Sequence, residues 1–178
     1  MSLFKTREFL LKEKIGSFRD KVDIYDSDGN EVGYFKGKII KIGNTFRMYL
    51  PNDSPVMTIK EKLVSLKSTY TLYWGGEKED DKVVGKLKKK LLSFRPKYTF
   101  EDENGKEMFL MKGRIYKLRY DVYKHGKKIA EINQKFFKSI LRDTYGVKVD
   151  PNASDETTLT VLGIVIALHH EKEERQGH

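Results

Sequence analysis

Polar and apolar residues alternate along this chain in short runs, and the runs recur. One kind of run carries a lysine-rich phrase, as in "EVGYFKGKIIKI" from Glu31 to Ile42. The other is shorter and rich in aromatic and β-branched residues: "VDIYD", "FRMYL", "YTLYW", "KYTFED", "YDVYK" and "TYGVKVD". Both compositions suit a pleated, half-buried strand. Within the phrase, Lys36 and Lys38 point one way while Gly37 and Ile39 point the other, the two-residue period of a strand. The doublets Ile39-Ile40, Leu91-Leu92 and Phe136-Phe137 break that alternation and predict a bulge or sharp coil.

The phrase itself is repeated. "KEKIGS" begins at Lys12, "KGKIIK" at Lys36, "KEKLVS" at Lys60, "KKKLLS" at Lys88, "KGRIYK" at Lys112 and a degenerate "NQKFFK" at Asn133. A period of about 24 residues means a repeated supersecondary unit. The longer step before Lys88 holds an acidic insertion, "GGEKEDDK". Each unit contains one run of each kind, so the unit is a hairpin. Asp28-Gly29, Gly75-Gly76, Asn104-Gly105 and His125-Gly126 supply the positive φ that tight hairpin turns demand, and "PNDSP" serves the remaining junction. A calcium loop in "DSDGNE" is disfavoured, because Gly29 stands fourth where such a loop needs its glycine sixth.

Six hairpins make twelve strands joined by short connections, hence an antiparallel meander. An open sheet of that size exposes two edges and curls, whereas closure removes both. The expected fold is mainly β: a closed antiparallel barrel of twelve strands. Such a barrel is too wide for strand side chains alone to fill. The tail offers the filling. After "DPNASDE", with possible helix caps at Ser154 or Asp155, comes "TTLTVLGIVIALHHEKEE". Leu159, Val161, Leu162, Ile164, Val165, Ile166 and Leu168 make it apolar on every side, the mark of a helix buried all round, with Gly163 allowing a close approach. A thirteenth strand is the alternative; length and capping favour the helix. The expected plan is one domain over residues 1–178, with strands over about 8–150, a linker at 151–155, the central helix at about 156–172 and a disordered tail at 173–178. The charged stretch from Glu171 to Arg175 is expected to emerge into solvent.

Composition narrows the function. The 178 residues suit one domain, and the absence of cysteine excludes disulfides, thiolate metal sites and thiol nucleophiles. A reducing, cytosolic location fits that absence. The N-terminus lacks the pattern of a secretory signal, and the longest apolar run, "VLGIVIAL", is too short to span a bilayer. The expectation is a soluble protein. A net charge of +9 and a pI near 9.4 invite an anionic partner, although a solvated lysine face explains the charge as well.

Candidate chemistry is sparse. His125 falls in a turn, and His169 and His170 with Glu174 are too few ligands for a metal site. No nucleophile elbow and no phosphate-cradling loop is present, so neither an enzyme nor a cofactor is expected. The lysines stand out instead. Lys36, Lys38, Lys60, Lys62, Lys88, Lys90, Lys112 and Arg114, with Lys12, Lys14 and Lys135, occupy equivalent positions in successive units and form a belt round a closed barrel. Tyr34, Tyr73 and Trp74 lie near it in sequence. A belt clustered on one patch favours an anionic partner; an even ring favours mere solubility.

"KEKIGSFRDKVDIYDSDGNEVGYFKGK" near the start, "KIAEINQKFFKSILRDTYGVKV" near the end and the closing "LTVLGIVIAL" together resemble the LURP-one-related family, a branch of the tubby-like domains and a relative of the phospholipid scramblases. The resemblance implies a twelve-stranded barrel around a central C-terminal helix, which agrees with the reading from spacing. It also implies a non-catalytic binding or scaffold domain that contacts anionic phospholipid or phosphoinositide at the inner membrane surface, or an unknown protein partner. No ligand motif carries over residue by residue. A nucleic-acid-binding barrel is the first rival, against which the missing aromatic RNP-type motif, GXXG loop and basic recognition helix all speak. A small-ligand protein or enzyme working inside the barrel is the second, and it requires an open lumen.

Overall fold

The structure, a computed structural model, describes residues 3–13, 21–38, 43–64, 67–76, 82–114, 117–133 and 144–176. The doublets Ile39-Ile40 and Phe136-Phe137, residues Lys14 and Lys135, and most of the acidic insertion lie outside them.

Twelve strands run in chain order: β1 (Glu8–Glu13), β2 (Lys21–Asp26), β3 (Glu31–Lys38), β4 (Thr45–Tyr49), β5 (Pro55–Val64), β6 (Lys67–Trp74), β7 (Val83–Lys89), β8 (Lys97–Glu101), β9 (Glu107–Arg114), β10 (Lys117–Lys124), β11 (Lys127–Asn133) and β12 (Thr144–Val149). Each pairs antiparallel with its sequence neighbour, and β1 pairs with β12, Leu11 opposite Tyr145, which closes the barrel. One helix follows, α1 (Asp155–Gln176).

The hairpin turns form as their residues dictate. Gly29, Gly75, Gly105 and Gly126 all have positive φ, and so does His125, at 48°. The "DSDGNE" stretch is an Asx turn, with Asp26 Oδ1 accepting the backbone N–H groups of Asp28 and Asn30. Asp102 repeats the device with Asn104 and Lys106. Beside each turn the pairing slips by one residue: at Ile24/Tyr25, Met48/Tyr49, Leu72/Tyr73, Phe100/Glu101 and Val122/Tyr123. A bulge bends its strand and sharpens the twist, so five in equivalent places help the sheet curl shut.

The Leu91-Leu92 doublet is not a bulge within a strand. β7 stops at Lys89, and Leu91 and Leu92 lie exposed in the connection to β8. The strand ends there because Lys90 N–H bonds to Lys97 O and closes the loop below them.

Ser154 is the N-cap of α1: its Oγ accepts the N–H of Thr157, and Asp155 and Glu156 place acid in the first turn. Every residue from Thr158 to Glu171 is buried, including all seven expected core residues from Leu159 to Leu168. The buried hydroxyls of Thr158 and Thr160 are satisfied by carbonyls one turn back, at Ser154 and Glu156. The helix thus starts one residue before the 156–172 read from the sequence and continues to Gln176, through residues expected to be tail. Glu171, expected in solvent, is buried. Leu3 N–H and Arg7 both bond to Asp155, fixing the helix start at the end of the barrel that carries the hairpin turns. The helix then runs down the lumen toward the opposite end.

Candidate functional site

Alternation along each strand sorts the charges. Ile59, Glu61, Tyr70, Leu72, Leu87, Phe100 and Met111 face inward, and Lys60, Lys62, Lys86, Lys88 and Lys112 face outward. Apolar in and charged out is the reverse of a membrane-spanning barrel. Among the described residues, no helix is long and apolar enough to cross a membrane.

The belt is uneven. Away from the hairpin turns, the outer face of β3 to β7 carries Lys36, Lys60, Lys62, Lys86 and Lys88, and no described carboxylate faces outward among them. Arg47 on the same face reaches back to the turn end, its Nε donating to Gly76 O. Lys90 extends this arc just past β7. Elsewhere round the barrel cations are paired, across strands for Arg119 with Glu131 at 3.0 Å, Lys128 with Asp121 at 2.7 Å and Lys148 with Glu8 at 3.4 Å, and along β2 for Lys21 with Asp23 at 2.8 Å. Lys88 marks the border of the arc, paired with Glu101 at 2.6 Å. The acids of the turns, Asp26, Asp28, Asp53, Asp102, Glu103 and Asp150, lie at the helix-start end, and the arc leans toward the other. The turn end, which also carries Lys82, Lys106, Lys124 and Lys127, therefore holds a larger share of acid than the opposite end.

Several lysines of the phrase are fixed by aromatic rings. Lys12 lies over Tyr25 at 5.0 Å, Lys60 over Tyr73 at 5.3 Å and Lys112 over Tyr123 at 5.0 Å. Lys21 lies over Tyr34, which also stacks on Tyr49. Tyr34 Oη donates to Asp53, and that bond pushes its phenol up to about 12. These contacts hold the ammonium groups of Lys12, Lys60 and Lys112 just above an aromatic surface, while Lys21 is shared between Tyr34 and Asp23.

A second polar cluster closes the lumen where α1 leaves it. Asn44 Nδ2 lies 2.6 Å from Glu61 Oε2 and 3.1 Å from His170 Nε2. Tyr70 Oη is 3.1 Å from His170 Nδ1, and Ser68 donates to Glu61 Oε1 at 2.7 Å. His169 meets Tyr145 Oη at 2.6 Å and faces Glu13 at 3.8 Å. Burial pushes Glu61 up, but hydrogen bonds from Ser68 and Asn44 and the charge of His170 outweigh it and hold the carboxyl below its ordinary range. The cluster ties helix to barrel. Among the described residues, no three metal-ligating side chains converge here or elsewhere.

The sequence model of the LURP-one-related family matches residues 7–169. The chain belongs to that family. A curated relative, the uncharacterized protein YxjI of Bacillus subtilis, is 30% identical over 97 residues, covering 54% of this chain. That match spans 57% of the relative's length. An X-ray structure of a protein from Arabidopsis thaliana superposes with a TM-score of 0.63 and 16% identity, covering 91% of this chain and 90% of the other. At that identity the likeness concerns the fold.

In this LURP-one-related barrel the lysines singled out in the sequence fall into three groups. Lys36, Lys60, Lys62 and Lys90 lie on the acid-free arc; Lys88 is paired; Lys112 and Arg114 are exposed beyond it on β9. Lys38 ends β3, its backbone opposite Thr45, and its side chain is outside what the structure describes. Of the aromatics expected near the belt, Tyr34 and Tyr73 are there, but Trp74 packs against the core. It occupies an inward position on β6, two residues on from Leu72. Arg47, Lys86 and Lys97 were not singled out in the sequence, since only strand register places them beside the belt. The burial of His169 and His170 was missed as well. The polarity of "HHEKEE" reads as a helix end in water, yet the barrel is long enough to enclose its first three residues.

Proposed function

We propose that this LURP-one-related chain is a non-catalytic binding domain of the tubby-like kind, which docks on membranes carrying anionic phospholipid through the cationic arc of β3 to β7. One observation carries the reading: Lys36, Lys60, Lys62 and Lys86 share an outer surface with no outward carboxylate among the described residues. Lysines kept only for solubility would be interspersed with acids, as they are on the other strands. A reaction inside the barrel is not favoured, because the chain's own helix fills the lumen from Thr158 to Glu171.

The test is co-sedimentation with vesicles, neutral against phosphatidylserine- or phosphoinositide-bearing, across a salt series. Binding that requires anionic lipid and fades with salt is expected, because screening shortens from about 10 Å at 0.1 M to about 3 Å at 1 M salt. Each lysine near an acidic surface contributes about 1 kcal/mol. The double variant K60Q/K62Q should therefore lower partitioning about thirty-fold. Equal binding to neutral and anionic vesicles, or none at low salt, refutes the reading.

A further inference from the structure

The connection between β7 and β8 exposes more apolar surface than any other described segment. Leu92 and Phe94 are exposed at 105% and 103%, and Leu91 at 56%. Scattered apolar side chains on a surface are ordinary, but three on one projecting tip mark an interaction site. The tip is not loose at its root. Lys90 N–H bonds to Lys97 O at 2.8 Å, and Gly113 N–H of β9 bonds to Pro96 O at 2.7 Å. A side chain on Gly113 would strike Tyr120 and crowd Pro96, so this glycine lets β9 hold the loop close. Leu63, 47% exposed near the end of β5, projects at the same end of the barrel.

The order of residues states what the tip meets. The segment reads "KKKLLSFRPK" from Lys88 to Lys97, with cations at both ends, apolar side chains between and no acid. A bilayer has the matching order, anionic headgroups outside and hydrocarbon within. A groove on a protein partner would call for no such ring of cations about an apolar tip.

We infer that the β7–β8 loop is a membrane wedge, in which Leu91, Leu92 and Phe94 enter the acyl boundary of an anionic bilayer while Lys90, Arg95 and Lys97 engage the headgroups. The inference rests on the membrane reading above and adds depth and orientation to it: the cationic end faces the bilayer and the acidic turns face away. Interfacial segments of this composition reach about 5–10 Å below the headgroup level.

The chain has no cysteine, so one introduced thiol gives a unique label. The environment-sensitive fluorophore NBD is attached at F94C and, as control, at N104C in the turn between β8 and β9. Both are mixed with vesicles of phosphatidylcholine alone or with 30 mole per cent phosphatidylserine, with and without brominated acyl chains (these compositions, on the order of a third anionic lipid, provide the surface potential required). The expected result is a blue shift and quenching at F94C on phosphatidylserine vesicles only, with neither at N104C. The double variant L92S/F94S should partition at least tenfold more weakly while its melting temperature stays unchanged, since both residues are fully exposed. Co-sedimentation with phosphatidylserine vesicles without change at F94C overturns the wedge and leaves the electrostatic reading standing. No co-sedimentation at low salt removes both. Self-association lost in L92S/F94S, seen by sedimentation velocity without vesicles, overturns the wedge in favour of a contact between copies.

Discussion

Lys60 of β5 lies over the ring of Tyr73 of β6, and the contact is diagonal: Thr71 is directly opposite Lys60, and Tyr73 stands two residues further along β6. Lys12 with Tyr25 and Lys112 with Tyr123 repeat the same offset. The repeat thus copied a three-dimensional device as well as a phrase. An exposed cation–π pair contributes about 0.5–1 kcal/mol. Tyr73→Leu should cost about that much in urea denaturation. Lys60→Met added to Y73L should cost nothing more, whereas Lys60→Met alone should cost as much as Y73L. Full additivity of the two in a double-mutant cycle would show that the ring and the ammonium are independent.

Gly163 lets the helix lie close against Met57 and Leu72 of the barrel wall. A Cβ built there would lie 2.6 Å from Met57 Sδ and 2.9 Å from Leu72 Cδ2. Gly163→Val should destabilise by about 1–3 kcal/mol through overpacking. Equilibrium denaturation of G163V measures it, and M57A in the same background should recover part of the loss. Unchanged stability in G163V would mean that the helix can shift in the lumen.

Glu61 makes stability depend on pH. Its carboxyl titrates below its ordinary 4.5 in the folded protein. A depressed folded-state pKa contributes stability that is present above the unfolded value and is lost as pH falls through the folded one. Glu61→Gln should therefore lower the melting temperature at neutral pH, and the deficit should shrink as pH drops below about 4.5. Melting curves of both proteins from about pH 7 to pH 3.5 decide the matter; a constant deficit would assign the effect to packing instead.

Removing α1 should unfold the barrel. Its seven apolar core side chains, Leu159 to Leu168, are all buried. At about 1.5–3 kcal/mol each they account for roughly as much as the whole stability of a domain, about 5–15 kcal/mol. A chain ended after Asp155 should show no cooperative melting by circular dichroism and should aggregate in size-exclusion chromatography. A monomeric, cooperatively melting product would mean that the strands alone make the core.

Much of this architecture was legible in the residues. Spacing of the phrase set the number and order of strands, and Gly29, Gly105 and the His125-Gly126 pair placed turns that the backbone dihedrals match. Ser154 capped the helix, and its apolar run told that it is enclosed. The candidate site was legible only in outline, because alternation shows which lysines face out but not what stands beside them. Whether Lys88 is paired depends on Glu101, thirteen residues away in sequence, arriving across the ladder. The Leu91-Leu92 doublet left bulge and sharp coil undecided for a related reason. An apolar pair reads the same in a bulged strand as in an exposed loop, and only the Lys90–Lys97 hydrogen bond separates the two.

Because β1 pairs with β12 and α1 follows β12, the element that fills the barrel is the last of them to leave the ribosome. Until then all twelve strand ladders can form, yet their inward faces have nothing to close upon. The nascent sheet must wait with Leu11, Ile24, Phe35 and Met48 uncovered, the condition in which chains are most prone to aggregate. Folding of this barrel is accordingly completed only after α1 has emerged, when curling of the sheet and seating of the helix complete one another.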